Sequence, residues 1–519
     1  MLPRKYSFLA ILIIAAIICV LPASAATCES LASVSLPHAT VASAEAIPAG
    51  TFKLPGGRAG ANGPRFDDLP SFCRVTATSK PSPDSDIKIE VWLPVVSSWT
   101  GKFQGTGNGC FGGAISYAQM ADVLRNGNAA AATDTGHDSN IGCNPPGDGA
   151  FALGHPEKLE DFGERAYHEM TVDAKLLIPA FYGSAPKLSF LDLCGGGSRE
   201  ALSEVQRYPE DWDAVAAGGL DGYSTHHVIG QMWIWQAAHK TDASYIPPTK
   251  YPAIHQAALE ACDALDGVKD GVIAEPSRCK FDPGVLECKS GDGPSCLTAP
   301  QVEAARAIYN APSNPRTGEK LFGPLMPGSE LGWGAVAGQN PFGYAIDFYR
   351  YAAFKDPAWD YRARPVNFDA DVKLLDTPEN HIVNARNPDV SKFLGRGGKL
   401  LLIGGWNDTA IAPFSNTSYF DALISKKMDR RFKDSIRFYM VPDMGHCPGK
   451  TGASAYDVDT FHVIQDWREK GKSPDPLIAT HYVSGKEDRK VLVCRYPQVA
   501  RYKGSGSTGD PANFACRLP

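Results

Sequence analysis

An α/β fold interrupted by a large insertion is the architecture this sequence predicts, on three observations. Short apolar runs bounded by glycine lie on both sides of a compositionally different middle third, as buried parallel strands do. One such run passes through a glycine-rich turn directly into a helix-forming stretch. Two later runs end in loops that carry Asp408 and His446. A chain of 519 residues exceeds the usual size of one domain, which calls for a core with a second unit inserted or appended.

Composition narrows the class. Hydrophobic residues make up 43% and charged residues 21%, with 51 Gly and 40 Pro, as in a globular chain with many ordered loops. The net charge of −6, without a stripe of Lys and Arg, excludes nucleic acid as an expected partner. At the N-terminus Arg4 and Lys5 precede an apolar run of residues 8–21 and the small-x-small string Ala23-Ser24-Ala25. Residues 1–25 read as a signal peptide, too short in its apolar part for a spanning helix. The expectation is a secreted or periplasmic protein with no stable membrane insertion. Of the 13 cysteines, 12 follow the leader. An even number behind an export signal predicts disulfides; zinc is disfavoured because no CxxC pair occurs and only Cys447 adjoins a histidine.

Along the chain, Ile87 to Pro94 alternates as a strand and is stopped by proline. The loop Phe103 to Gly113 contains enough glycine to turn tightly with exposed backbone N–H groups. Ala166, Met170, Ala174, Leu177 and Ile178 recur at helical spacing, predicting a helix over residues 161–178 that ends at Pro179. Residues 187–193 form a short strand running into Cys194-Gly195-Gly196-Gly197-Ser198-Arg199, with helix formers from Ala201. Strand, tight turn, helix is the form of a nucleophile elbow, although the usual G-x-S-x-G string is absent. Residues 218–395 hold four closely spaced cysteines, many prolines and scattered aromatics, and read as an inserted lid. The core resumes with strands at residues 399–405 and 436–441.

Asp408 and His446 follow those two strands, and acyl transfer by serine needs an imidazole to take the hydroxyl proton and a carboxylate to hold that imidazole. In α/β-hydrolases the order is nucleophile, acid, histidine, which the elbow, Asp408 and His446 satisfy. The alternative for a histidine in a glycine-rich loop is that it only caps backbone groups; the acid, the elbow and the order favour catalysis.

With these residues in view the sequence resembles the tannase and feruloyl esterase family, which includes mono(hydroxyethyl) terephthalate hydrolase. In that family a cysteine before the serine pairs with a cysteine after the catalytic histidine, and Cys194 and Cys447 stand in those places. The family's Gly-Cys-Ser-Thr-Gly-Gly-Arg overlays Leu193 to Arg199 without a gap, and Arg207 to Asp213 is also family-like. Gly195 then occupies the nucleophile position. Asp408 and His446 would be acid and base, and Gly196 would give one oxyanion N–H. The family's Gly-Asn-Gly-Gly loop maps onto Gly107-Asn108-Gly109-Cys110, leaving Gly109 or Cys110 to give the second. Cys110 is a candidate partner of Cys143, and Thr133 to His137 is expected to support the site. The resemblance also implies structural calcium (Ca2+) held by Asp263, Asp266 and Asp270 with the backbone oxygens of Val268 and Val272, against the alternative of a solvated acidic turn.

The resulting expectation is an α/β-hydrolase core of residues 26–217 and 396–519 with a lid of residues 218–395. Its parent reaction is hydrolysis of small aromatic esters of the feruloyl, galloyl or terephthalate half-ester type through Ser-His-Asp chemistry, inactivated or much weakened by Gly195. Retention of everything around Gly195 fits an exchange confined to the nucleophile better than decay by drift. Ser198, nearly one helical turn further on, is expected to cap or pack at the helix start rather than attack. Water activation by Asp408 and His446, or a non-catalytic aromatic-ester binding protein of the same fold, are the alternatives. Trp333, Phe342, Phe348, Tyr349, Tyr351 and Phe354 line a flat pocket or form lid core, and Arg350 or Arg364 answers a substrate carboxylate if it points inward.

Overall fold

The computed structural model describes residues 26–56, 65–139, 142–144, 146–425, 432–450 and 455–519. The expected signal peptide lies outside the described residues. Nine strands form one sheet in the order β1-β2-β3-β5-β4-β6-β7-β8-β9. β1 (Ala39–Ile47), β2 (Phe72–Ser79) and β3 (Ile87–Pro94) are antiparallel, and β3 meets β5 (Ala129–Thr133) antiparallel. From β5 through β4 (Lys102–Gly105), β6 (Leu188–Cys194), β7 (Ala214–Gly218), β8 (Lys399–Gly405) and β9 (Ile436–Val441) every pairing is parallel.

Period-two alternation distributes the apolar runs between the two faces of this sheet. Leu191, Leu193, Val215, Leu400 and Leu402 face one side and pack with Met170, Leu177, Leu202 and Val205. Phe190, Ala216, Leu401 and Ile403 face the other and pack with Ile464 and Trp467 of the helix Thr460–Lys470. Both faces are therefore covered by helices, which is why these strands read as nearly continuous apolar runs.

Helix α1 (Tyr117–Arg125) joins β4 to β5, and α2 (Pro156–Glu160) leads through a π-helical turn, Asp161–Arg165, into α3 (Ala166–Tyr182). The expected helix over residues 161–178 thus begins earlier, in pieces, and continues through Pro179. Pro179 removes one N–H, but the last turn is closed by Gly183, whose left-handed conformation (φ 74°) returns its N–H to the Pro179 carbonyl at 2.9 Å. α4 (Gly196–Arg207) follows the elbow.

The sheet is left at Gly218 and re-entered at Lys399, with residues 219–398 between. That segment holds α5 (Ser224–Ala238), α6 (Tyr251–Cys262) and α7 (Ala299–Ile308), and its apolar side chains join Phe111 and Phe162 in a shared cluster. After β9 come two further sheets that the sequence does not announce, β10-β11-β12 (Ala455–Asp457, Leu477–Val483, Lys486–Val493) and β13-β14 (Val499–Tyr502, Phe514–Arg517). All 12 cysteines after the leader pair: Cys28–Cys73, Cys110–Cys143, Cys194–Cys447, Cys262–Cys279, Cys288–Cys296 and Cys494–Cys516. Among the described residues no helix is long and apolar enough to cross a membrane.

Candidate active site

Gly195 stands alone between β6 and α4, at φ 63° and ψ −128°. A side chain is strained there and glycine is not, which is the backbone form of an elbow that thrusts one residue out of the sheet. A Cβ built on Gly195 would lie 2.7 Å from Nε2 of His446. The direction in which a side chain leaves this Cα is thus the direction of the imidazole, and the ring has to withdraw slightly before a serine fits.

His446 is delivered by the loop after β9. Its Nδ1 meets Oδ2 of Asp408 at 2.9 Å, and Asp408, in the loop after β8, is fully buried. The other carboxylate oxygen accepts the N–H groups of Ala410 and Ile411, each at 2.9 Å, which fixes its orientation. An ionised carboxylate only accepts, so Nδ1 carries the hydrogen and Nε2 presents its lone pair to the elbow. Burial lowers the pKa of His446, but the charge and hydrogen bond of Asp408, with Asp221 adding, outweigh it and hold the pKa above the ordinary histidine value.

The glycine-rich loop lies directly against the elbow. A methyl added to Gly196 would stand 2.8 Å from the Cys110 backbone nitrogen and 2.9 Å from Gly109 Cα. Cys110 adopts a left-handed φ of 51° and is bonded to Cys143. Among the described residues no acceptor meets the N–H of Gly109 or Cys110. The segment Thr133 to His137 holds this loop from behind: the Asn108 side-chain amide donates to the Thr133 carbonyl at 2.9 Å, and Nε2 of His137 lies 2.7 Å from the Phe111 carbonyl. Glu200, which the sequence reading missed, accepts the Asn108 N–H at 3.1 Å, and burial pushes its carboxyl up to about 7. Its place one residue after Arg199 was the available signal.

Ser198 is fully buried beneath the elbow. Its hydroxyl donates to the Gly195 carbonyl at 2.6 Å, lies 3.1 Å from the Gly219 carbonyl and accepts the Asp221 N–H at 2.9 Å. Cys194 and Cys447 are joined, so one covalent link ties the elbow to the histidine loop. Asn407, also missed although it precedes Asp408, donates to the Gly328 carbonyl of the insertion at 2.8 Å and to Oδ1 of Asp443 in the histidine loop at 2.7 Å.

The expected flat aromatic pocket is largely interior of the inserted segment. Trp333, Phe348 and Tyr349 are fully buried, and Phe342 and Phe354 pack partly buried against the same clusters. Tyr351 is half-buried. Arg350 donates to the Trp359 carbonyl at 3.2 Å, while Arg364 lies 4.1 Å over the Phe354 ring and pairs with Asp371. Both cations are engaged within the inserted segment.

The acidic turn folds on itself. Asp263 accepts the N–H groups of Asp270 and Gly271 at 3.1 and 3.0 Å, and Asp266 accepts that of Val268 at 3.1 Å; buried Val272 follows. Burial, with Asp270 and Asp263 adding, pushes Asp266 up to about 6, and Oδ1 of Asp270 is buried without a hydrogen-bond partner among the described residues. Crowded buried carboxylates with an orphaned oxygen fit a hard cation. Two tighter groupings do not: Cys288 and Cys296 beside Asp292 are spent in a disulfide, and His168, Glu204 and Asp211 have the Lys175 ammonium 3.9 Å from Asp211.

Comparison with known proteins places these features in context. The tannase and feruloyl esterase family profile matches residues 73–517. An uncharacterized esterase of Xanthomonas campestris pv. campestris is 34% identical, over 95% of this chain and 91% of its own. A probable feruloyl esterase B-1 of Aspergillus oryzae is 29% identical, over 95% and 93%. The crystal structure of feruloyl esterase B from Aspergillus oryzae superposes with a TM-score of 0.84 at 27% identity, covering 95% of this chain and 100% of that one.

Proposed function

The chain belongs to the tannase and feruloyl esterase family, and on that premise we propose that its site is built to hydrolyse carboxylic esters of small aromatic acids, with the nucleophile's place held by Gly195. The observation that carries this is the aim of His446 Nε2 at the missing side chain of residue 195. With serine there, Nε2 takes the hydroxyl proton as the oxygen attacks the ester carbonyl, while Asp408 stabilises the imidazolium. The N–H groups of Gly196 and of Gly109 or Cys110 hold the tetrahedral oxyanion. Collapse expels the alcohol, which receives the proton from Nε2. Water then attacks the acyl-enzyme with His446 again as base, releasing the acid and restoring the serine.

Gly195 has only hydrogen to offer, so this chain is inactive or very weak as an esterase. The same residue favours a second reading, a binding protein for aromatic esters that are retained uncleaved. Calcium held by Asp263, Asp266 and Asp270, with the carbonyl oxygens of Val268 and Val272, would stiffen the base of the lid. Export through residues 1–25 suits a protein with paired cysteines.

Assaying the unmodified protein and Gly195→Ser against methyl gallate, methyl ferulate and a terephthalate half-ester separates these readings. The serine variant should gain turnover by several powers of ten on at least one ester, with a burst of alcohol release. A folded Gly195→Ser that gains nothing, beside unmodified protein that binds the esters, would leave the binding protein.

A further inference from the structure

Between α1 and the helix Thr460–Lys470, which cover the same face of the sheet, lies a cleft of about 880 Å3, a volume typical of ligand sites. Its inner end reaches Cys194, Gly197 and Cys447, and so the bridge that ties the elbow to the histidine loop. Neither Gly195 nor His446 is among the described residues that line it, so a ligand held there leaves the ester's place free. A second cleft of about 360 Å3 shares Val458, Asp459 and His462 with the first and continues it around the start of the helix toward Pro474 and Ile478. The two form one elongated groove.

Gln104 of β4 stands opposite Phe190 of β6, and Asp192, two residues on, shares their face. Four carboxylates line the larger cleft, and three have a basic neighbour: Asp122 has Arg125 at 2.7 Å, Asp457 has Lys450 at 3.7 Å and Asp459 has His462 at 2.8 Å. Asp192 has none among the described residues. Its two oxygens share a single donor, the Thr460 hydroxyl, at 2.9 and 2.8 Å, although a carboxylate has room for about four hydrogen bonds. Among the described residues the side-chain amides of Gln104 and Asn126 also find no partner, and each brings both donors and an acceptor. Phe461 adds a half-buried ring to the wall, edge-on to Phe190 at 6.2 Å.

These groups select a ligand class. An anion meets the unpaired charge of Asp192. A cation satisfies Asp192 but meets Lys450 and leaves the amide N–H groups without acceptors. Neutral hydroxyls both donate and accept, so they answer Asp192 and the two amides together, and the C–H face of a sugar ring covers the apolar face of Phe461. We infer that this groove binds a neutral linear oligosaccharide, anchored by Asp192, at a site separate from the one at residue 195.

Calorimetry of the unmodified protein with cellotetraose, xylotetraose and maltotetraose should find at least one of them bound at a single site per chain. Asp192→Asn keeps the shape and removes the charge, and should weaken that binding at least about tenfold. Phe461→Ala should weaken it about threefold or more, as should Asn126→Ala, an exposed position whose change the fold tolerates. Turnover by the Gly195→Ser protein should be the same with and without these three changes. Binding of no tetraose, or an affinity that none of the three variants alters, overturns the site. Spermine bound tighter than any tetraose and released in Asp192→Asn overturns it in favour of a cationic ligand. Displacement of the tetraose by methyl ferulate overturns its separateness from the ester site, while the ester reading itself stands or falls on Gly195→Ser.

Discussion

At position 195 the backbone stands at φ 63°, so serine there carries a conformational cost that glycine escapes. Gly195→Ser should therefore lower stability by roughly 1–3 kcal/mol in chemical denaturation, even as it raises activity. Ser198→Ala should do the reverse of what a nucleophile's loss would do. It leaves the Asp221 N–H without its acceptor, costing about 1–3 kcal/mol, while the Gly195 carbonyl keeps the Ser198 N–H, and turnover of the serine variant is little changed. Loss of turnover in Ser198→Ala with none gained in Gly195→Ser would make Ser198 the residue to explain. His446 must be neutral to accept the proton, and its pKa is raised, so the serine variant should lose activity on acidification at a higher pH than an ordinary histidine would dictate. An acid limb below about 6.5 would contradict the dominance of Asp408 over burial. Asp408 and His446 were legible because each ends an apolar run in the order the chemistry demands. Glu200 and Asn407 were not, because their roles come from partners far along the chain: Asn108, and Gly328 with Asp443.

Among the elements, the strand-turn-helix of β6, Gly195 and α4 was legible from composition, since a glycine run between an apolar strand and helix formers has few other uses. The helix ending at Pro179 was misplaced because proline in a last turn forfeits a bond that the Gly183 cap partly replaces. The lid aromatics could not be sorted beforehand, as pocket and core draw on the same residues; burial sends Trp333, Phe348 and Tyr349 inward. The acidic turn gives a prediction of its own. Metal analysis of protein purified without chelator should find about one calcium per chain, since a single cluster of three carboxylates is at issue. Chelation or Asp266→Ala should lower the thermal midpoint, because a ligand bound only by the folded state contributes about 2.7 kcal/mol at a hundredfold excess over its dissociation constant. A metal-free protein whose midpoint ignores both treatments would reject the cation.

Across the whole molecule, burial raises several carboxyls together: Asp134, Asp173 and Glu200 to about 7 and Asp192 to about 6. Unfolded, such groups titrate near 4, so between about pH 4 and 7 these four groups hold more protons in the folded chain than in the unfolded one. Their contribution to stability is complete below the unfolded pKa and disappears as pH rises through the folded values. Thermal midpoints measured in chelator should therefore fall from pH 5 to pH 8, and a flat or rising profile would mean these carboxyls are ionised in the fold. At this scale the sequence announced a sheet split by a large helical insertion, through the change of composition between β7 and β8. The sheets β10 to β14 escaped notice because several of their strands are only three or four residues long and another, Lys486–Val493, is exposed and largely charged. The bridge between Cys194 and Cys447 bears on how the molecule survives damage. Cys194 and Cys447 lie 253 residues apart and enclose the lid, whereas every other pairing is local. Residues 315–320 of the lid are exposed, and a protease nick there would leave two fragments that a single sulfur link holds together. Such a nicked protein should run at full mass without reductant and as two pieces with it, and until that link is reduced the elbow and its histidine cannot part.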